Sequence, residues 1–178
     1  DGLVVEGSTG EAATMFMDEK IAVLKAVVER VNGRAPVIVG AGTNCTASTL
    51  ELINAVEACG VDGLLVVGPY YNKPTQEGYY QHFAAVAKST NLPIIVYNVP
   101  GRTGSNIEPK TVARLAAEFP NIVAVKEAAG NVAQTAELFR VLPENVTIYS
   151  GDDGLILPFM AVGARGVISV LGNIGGQM

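Results

Sequence analysis

The stretch Ile122-Val-Ala-Val-Lys126-Glu-Ala-Ala-Gly130 decides the fold, because a short run of β-branched and small residues ends in one lysine. Strand alternation predicts one face with Ile122, Ala124 and Lys126. Glu127 falls on the opposite face. A lysine at the end of an apolar strand either extends its ammonium group to solvent or, where burial lowers its pKa, offers a neutral amine as a nucleophile. The stretch by itself leaves both alternatives open.

Similar apolar runs recur along the whole chain. The predicted strands cover residues 3–6, 37–40, 64–67, 94–97, 122–126, 146–149 and 167–170. Each run is short and almost continuously hydrophobic, which is typical of parallel strands buried on both faces. Between successive runs, apolar residues recur three or four positions apart and predict six helices.

This alternation predicts an α/β fold with a parallel sheet and helical crossovers. Two architectures fit, a (β/α)8 TIM barrel and a doubly wound open sheet. Even strand spacing, without a Gly-rich dinucleotide fingerprint after the first run, favours the barrel. We therefore expect residues 1–178 to form one partial TIM-barrel domain that spans about strands 2 to 8. The first strand-helix unit and the C-terminal helices would be missing, which would make this piece less stable than a closed barrel.

Composition narrows the function. Of the 178 residues, 49% are hydrophobic and 16% are charged, so a substantial core is expected. The net charge of −5 and the lack of a basic cluster argue against nucleic-acid binding. No apolar run reaches the length of a membrane span. Cys45 and Cys59 lack metal-ligand spacing and a secretory signal, which suggests reduced thiols in a cytoplasmic protein.

In parallel barrels the reacting groups lie at the carboxyl ends of the strands. At these positions the sequence places Tyr97, Arg102 and Lys126. It also places Ser8 and Thr9 there, between two glycines. Hydroxyls and backbone N–H groups between glycines suit a carboxylate or phosphate, and a phenol can transfer protons. Each residue also has an ordinary alternative: a capping hydroxyl, a core tyrosine or a solvated arginine.

Metal and histidine chemistry are poorly supported. Asp152 and Asp153 could hold a divalent cation, but adjacent acids without further ligands more often stabilise a helix N-terminus. His82 is the one histidine, which nearly excludes a histidine triad or a zinc site. The lysine, the tyrosine, the hydroxyl pair and the arginine together favour imine chemistry on a keto acid, with no metal and no organic cofactor.

These motifs also resemble a known family. From Gly-Leu-Val-Val-Glu-Gly-Ser-Thr-Gly-Glu at the start to Gly-Val-Ile-Ser-Val near the end, the chain is similar to the pyruvate-dependent class I aldolase and N-acetylneuraminate lyase family. The resemblance implies that Lys126 forms a Schiff base with pyruvate and that Tyr97 is the general acid and base. It implies that Ser8 and Thr9 hold the pyruvate carboxylate, with Thr9 in a hydroxyl relay between Tyr97 and Tyr71. Tyr71 would come from a neighbouring subunit of a homodimer or homotetramer.

The same resemblance implies that Gly151 and Ile168 line the pyruvate pocket. The segment Tyr-Asn-Val-Pro-Gly-Arg-Thr-Gly resembles the branch that condenses pyruvate with aspartate 4-semialdehyde, in which Arg102 would bind the semialdehyde carboxylate. Two alternatives stay open: another aldolase of the family, acting on a 2-keto-3-deoxy sugar acid or N-acetylneuraminate, and a non-catalytic barrel that binds a keto acid. Convergence of Lys126, Tyr97 and Thr9 around one cavity would favour an enzyme.

Overall fold

Each apolar run of the sequence forms a parallel strand in the computed structural model, which describes residues 1–175. Within those residues the strands are β1 (Leu3–Val5), β2 (Val37–Gly40), β3 (Gly63–Val67), β4 (Ile94–Asn98), β5 (Ile122–Glu127), β6 (Thr147–Ser150) and β7 (Gly166–Val167). They lie in the sheet in chain order, each parallel to the next. A doubly wound sheet would reverse its strand order part-way, so that alternative is excluded.

Helices connect the strands. They are α1 (Met17–Val31), α2 (Thr46–Glu57), α3 (Gln76–Ser89), α4 (Pro100–Thr103), α5 (Pro109–Glu118), α6 (Val132–Val141), α7 (Ile156–Ala161) and α8 (Gly172–Gly175). Short 3-10 helices cover Ser8–Gly10, Ala12–Thr14 and Asp153–Leu155. Local chemistry sets several of the starts. The Thr75 hydroxyl accepts from the N–H of Gly78 at the start of α3, and the Asn131 side chain does the same for Gln134 at the start of α6.

Two apolar layers lie on the two faces of the sheet. The larger one packs the helices against the outer face and includes fully buried Phe83, Leu115 and Phe159. The smaller one lines the inner, concave face and contains Leu65, Ile95, Tyr97, Val99 and Ala124. The structure is thus a curled, seven-stranded parallel half-barrel with an outer layer of helices. The carboxyl ends of all its described strands lie at the same edge of the sheet.

The predicted face of Ile122 is wrong. Ile122 pairs with Ile94, but Ala124 pairs with Ile95, so Val123 is an extra residue in β5. This bulge breaks the two-residue alternation. Ile122 therefore packs into the outer layer, while Ala124 lies in the inner layer. Lys126 keeps its predicted direction because the alternation resumes after the bulge.

Two local predictions also need correction. The seventh strand ends at Val167 instead of residue 170, because the N–H groups of Val170 and Leu171 donate to the Asp153 carboxylate and turn the chain away from the sheet. The segment around Arg102 carries two glycines, Gly101 and Gly104, and these predict a loop, but the segment forms the short helix α4. Within residues 1–175, no helix is both long and apolar enough to cross a membrane.

Candidate active site

Lys126 and Tyr97 lie side by side at the carboxyl ends of neighbouring strands. The two residues are register partners in β5 and β4, so their side chains leave the sheet on the same face. The Lys126 Nζ lies 4.2 Å from the centroid of the Tyr97 ring. Tyr97 is buried, and Lys126 is half-buried beside it. The two groups proposed for nucleophilic attack and proton transfer therefore share one site.

The environment favours the neutral amine of Lys126. Burial, together with the nearby Arg102 guanidinium, lowers the pKa of Lys126 to about 8, although Asp153 opposes the change. A pKa near 8 leaves about one-tenth of the lysine as free amine at pH 7, against less than about one-thousandth at the ordinary value. This site thus makes Lys126 a usable nucleophile near neutral pH.

Gly151 provides the space that the lysine side chain occupies. A Cβ atom at this position would lie 2.7 Å from the Ala128 Cβ and 3.1 Å from the Lys126 Cε. A larger residue would push against β5 and against the lysine itself. The Gly151 N–H also donates to the Glu127 carbonyl at 2.8 Å, which fixes the end of β6 against β5.

Burial raises the pKa of Tyr97, while the Arg102 guanidinium and the Ser8 hydroxyl act in the opposite direction. The phenol is therefore protonated at neutral pH and can donate a proton to a neighbouring oxygen or carbon centre. Arg102 influences both Tyr97 and Lys126 although its own side chain is exposed on α4. The arginine is thus close enough to both groups to bind a substrate that reaches them.

A cavity of about 1070 Å³ opens beside this pair; Tyr97 lines it, whereas Lys126 and Thr9 are not among the residues that do. Ser8, Tyr71, Tyr97 and Arg102 are among the residues that line it. Its size is ample for two small metabolites, and its lining combines apolar surface with a few polar groups, as ligand sites usually do. Four of the residues predicted for the site thus face one space.

The structure gathers the other predicted residues less closely. Thr9 lies beside Ser8 in a single-turn 3-10 helix, but its side chain is exposed, and in the described part of the chain no hydrogen bond joins it to Tyr97. Ile168 packs on the inner layer with Tyr97, and its N–H donates to the Ser150 carbonyl. Tyr71 lines the cavity but is 86% exposed, and its backbone has a left-handed φ of 69°.

Sequence reasoning missed two buried carboxylates at the same strand ends. Glu6 follows β1, lines the cavity and has both carboxylate oxygens buried without a hydrogen-bond partner. Glu127 ends β5 and accepts several hydrogen bonds. The signal that points to both is a charged residue inside or directly after an apolar run, the same signal that singles out Lys126.

Asp152 and Asp153 are the residues that the sequence offers as candidates for a cation site. Among residues 1–175, no group of three or more His, Cys, Asp or Glu side chains is arranged to hold a metal ion. Asp152 caps the 3-10 helix that follows β6, through the N–H of Gly154. Asp153 instead accepts from the Ser169 hydroxyl and two backbone N–H groups, which ties the loop after β7 to the loop after β6. Both aspartates therefore have structural partners.

The fold and this cluster define a parallel α/β protein with a desolvated lysine at the carboxyl ends of its strands. The chain matches the model of the dihydrodipicolinate synthetase family over residues 1–178, and it belongs to that family. A 4-hydroxy-tetrahydrodipicolinate synthase from Desulforamulus reducens is 55% identical over 177 residues, which cover 99% of this chain and 60% of the relative. The synthase of the same name from Heliobacterium modesticaldum is 56% identical over 177 residues, with coverages of 99% and 59%.

The solved structures agree with this assignment. The crystal structure of dihydrodipicolinate synthase from Aquifex aeolicus has a TM-score of 0.97 and 45% sequence identity, and the match covers 99% of this chain and 60% of that one. The chain thus spans about 60% of the length of the relatives that it matches. The predicted family is confirmed.

Proposed function

We propose that this chain carries the catalytic lysine of a 4-hydroxy-tetrahydrodipicolinate synthase, which condenses pyruvate with aspartate 4-semialdehyde in lysine and diaminopimelate biosynthesis. The single observation that carries the proposal is the desolvated Lys126 amine, 4.2 Å from the Tyr97 ring centroid. The names of the similar proteins support the choice of substrates. The contact between Lys126 and Tyr97 favours an enzyme over a non-catalytic barrel.

In the proposed reaction the neutral Lys126 Nζ attacks the keto carbon of pyruvate, and loss of one water gives an imine. The imine withdraws electrons from the adjacent carbon, which loses a proton through Tyr97 to give an enamine. The enamine carbon bonds to the aldehyde carbon of the semialdehyde. The semialdehyde amine then displaces Lys126 from the imine carbon, which closes the ring and regenerates the free lysine. The imine serves as the electron sink, so the steps use no metal or organic cofactor.

The remaining predicted residues take the roles that the family resemblance implies. Ser8 and Thr9 hold the pyruvate carboxylate, and Gly151 and Ile168 bound the space around the imine. Arg102, with its exposed guanidinium on the cavity wall, pairs with the carboxylate of the semialdehyde. An aldolase that acts on sugar acids has no amino-acid substrate whose carboxylate Arg102 would bind. The presence of Arg102 therefore favours the synthase over the other members of the family.

The proposal extends to the assembly. A tyrosine that is 86% exposed on a left-handed backbone is well placed to enter a neighbouring subunit. We therefore propose a homodimer in which Tyr71 reaches the partner's cavity, with homotetramers formed from such dimers. We also propose that the half-barrel is the larger part of an eight-stranded barrel, in keeping with its share of the relatives' length. The cytoplasmic location stays a prediction.

The decisive experiment is borohydride reduction in the presence of pyruvate, followed by peptide mapping. We expect a reduced pyruvate adduct on Lys126 and no adduct in the Lys126→Met variant. Lys25→Met removes an exposed lysine of α1 as the matched control and should leave the adduct unchanged. An adduct spread over exposed lysines, or none on Lys126, would contradict the proposed function.

A further inference from the structure

Directly behind the Lys126–Tyr97 pair lies a second cross-strand pair, formed by the next residue of each strand. Asn98 and Glu127 are register partners in β4 and β5. Both are about 1% exposed. Because strand residues alternate in direction, this pair points into the outer layer while Tyr97 and Lys126 point inward. The two pairs are adjacent on the same two strands, so contacts that fix the backbone position of one pair also fix that of the other.

The Glu127 carboxylate is surrounded by hydrogen-bond donors. The Asn98 Nδ2 donates to both carboxylate oxygens at 3.2 and 3.1 Å, the Ala129 N–H donates at 2.7 Å, and the Gln134 Nε2 donates at 3.2 Å. Burial raises the pKa of Glu127, while these donors lower it. All of these hydrogen bonds are donated to Glu127, so its side chain acts only as an acceptor, as an ionised carboxylate does. Its position is therefore fixed by partners from three elements.

The network continues to the segment that follows Arg102. The Asn98 Oδ1 accepts from the Ile107 N–H at 3.0 Å, and the Asn98 Nδ2 also donates to the Asn106 Oδ1 at 2.8 Å. Asn106 in turn exchanges two hydrogen bonds with Gln134 on α6. The connection from α4 to α5 is thus fastened to the end of β5. Arg102, on α4, is held relative to Lys126 by buried groups that touch no substrate.

We propose that Glu127, acting through Asn98, is a positioning residue that keeps Tyr97 and Arg102 in place against Lys126. This inference rests on the proposed function, and it deepens it by assigning a role to the buried face of the same two strands. Buried charged networks of this kind are strongly interdependent, because an unmatched donor or acceptor in a dry site is costly. Small displacements of reacting groups in turn reduce rates by large factors.

The primary test measures Lys126 without using pyruvate. Trace acetylation by acetic anhydride across pH 6 to 10, read by mass spectrometry against exposed Lys25, gives the pKa of the Lys126 amine in the folded protein. In Glu127→Gln the new side-chain N–H₂ faces a group that is itself a hydrogen-bond donor, so one hydrogen bond is lost. The ends of β4 and β5 then pack less tightly, and water reaches Lys126. We expect the Lys126 pKa to rise by about one unit toward its ordinary value. Glu137→Gln, an exposed carboxylate on α6, is the matched control and should not change it.

A compensating variant separates positioning from simple loss of stability. In the double variant Asn98→Asp with Glu127→Gln, the acceptor and donor exchange places at unchanged charge. The hydrogen bond between the strands is restored when the amides of Asn106 and Gln134, which pair with each other, turn over to match it. We expect the Lys126 pKa to return to within about 0.3 units of the parent value. If Glu127→Gln does not fold, Gln134→Leu removes one donor from the same carboxylate and should move the pKa upward by a smaller amount. An unchanged Lys126 pKa in the folded single variant would overturn the proposal.

Pyruvate trapping provides an independent measurement. We expect the rate of imine formation at saturating pyruvate to fall about tenfold in Glu127→Gln, with the half-saturating concentration changed less than about twofold. Equal loss of rate and affinity, proportional to the unfolded fraction, would indicate a merely structural role and would count against the inference. If the parent chain forms no adduct on Lys126, the proposed function fails, yet the acetylation experiment still decides whether Glu127 positions the lysine.

Discussion

The carboxyl ends of β1 and β5 each bury a glutamate, and the two sites differ in almost every other respect. Glu6 is 7% exposed and Glu127 is 1% exposed. Burial raises the pKa of both side chains. Glu127, however, lies in regular strand and accepts hydrogen bonds from Asn98, Ala129 and Gln134. Glu6 has a left-handed φ of 57°, and its carboxylate oxygens have no hydrogen-bond partner.

The difference teaches that burial of a charge does not by itself indicate its effect on stability. A buried carboxylate that is matched by donors holds its surroundings together, and its removal leaves those donors unpaired. A buried carboxylate without donors carries the desolvation cost alone, which here is reduced only by the charge of Lys20. Removing the carboxylate should therefore have opposite effects on the free energy of unfolding at the two strand ends.

The largest effect is expected for Glu127→Ala. This change leaves the Ala129 N–H without an acceptor and leaves the amides of Asn98 and Gln134 with the Asn106 Oδ1 alone, and we expect a loss of about 3 kcal/mol in the free energy of unfolding. Urea denaturation followed by circular dichroism measures it. Glu137→Ala on the exposed face of α6 should cost less than about 0.5 kcal/mol. Similar losses for the two variants would show that the buried network is not a special source of stability.

The next largest loss of stability is expected for Gly151, which follows β6 and packs against the end of β5. Gly151→Ala places a Cβ atom 2.7 Å from the Ala128 Cβ, so the backbone must move, and we expect a loss of about 2 kcal/mol. The matched control is Gly101→Ala, where no atom lies within 4 Å of the added methyl group and helix propensity favours alanine. Thermal unfolding of both variants tests the contrast. A stable Gly151→Ala protein would mean that this strand end adapts more freely than its contacts indicate.

A smaller effect of opposite sign is expected for Glu6→Gln. The folded-state pKa of Glu6 lies above its ordinary value of 4.5. The unfolded chain therefore releases this proton first, and the ionised group costs stability as pH rises from about 4.5 through the folded pKa. Removing the charge should raise the free energy of unfolding at pH 8 by about 1 kcal/mol. Denaturation at pH 4 and pH 8 should show the gain only at the higher pH; a loss at pH 8 would mean that Glu6 is a matched charge like Glu127.

The smallest effect is expected for Lys20→Met. The ammonium group of Lys20 lowers the pKa of Glu6 and so offsets part of its cost. Without it we expect a loss of about 0.5 kcal/mol at pH 8. In the Glu6→Gln background the same change should have almost no effect, and a double-mutant cycle measures the difference. Equal losses in both backgrounds would exclude an interaction between Lys20 and Glu6.

Much of the architecture was predictable because it depends on local patterns. Continuous apolar runs that alternate with helical periodicity specify buried parallel strands with crossovers, and the predicted strand positions are confirmed to within a few residues. Two exceptions have tertiary causes. The bulge at Val123 arises from pairing with β4, and the early end of β7 arises from a carboxylate that lies 16 or more residues away in the chain.

The candidate site was predictable in part. Lys126 and Tyr97 stand at strand ends and Arg102 lies on α4, directly after β4, so position in the chain was enough to nominate them. The roles of Ser8, Thr9, Tyr71, Gly151 and Ile168 came from resemblance to a family, and they stay predictions. The Asn98–Glu127 pair could not be recognised, because its meaning depends on which strands are neighbours and on which residues share a register.

The sequence by itself thus determined the order of elements, the parallel sheet and the edge at which chemistry would occur, since these follow from hydrophobic period and chain order. Only the tertiary structure decided the state of the charged groups. Lys126 has a lowered pKa because β4, β6 and α4 enclose it with a second cation nearby. Glu127 has hydrogen-bond partners because donors from distant segments of the chain reach it, whereas the buried oxygens of Glu6 have none. Desolvation and pairing are properties of the assembled fold, and no local pattern encodes them.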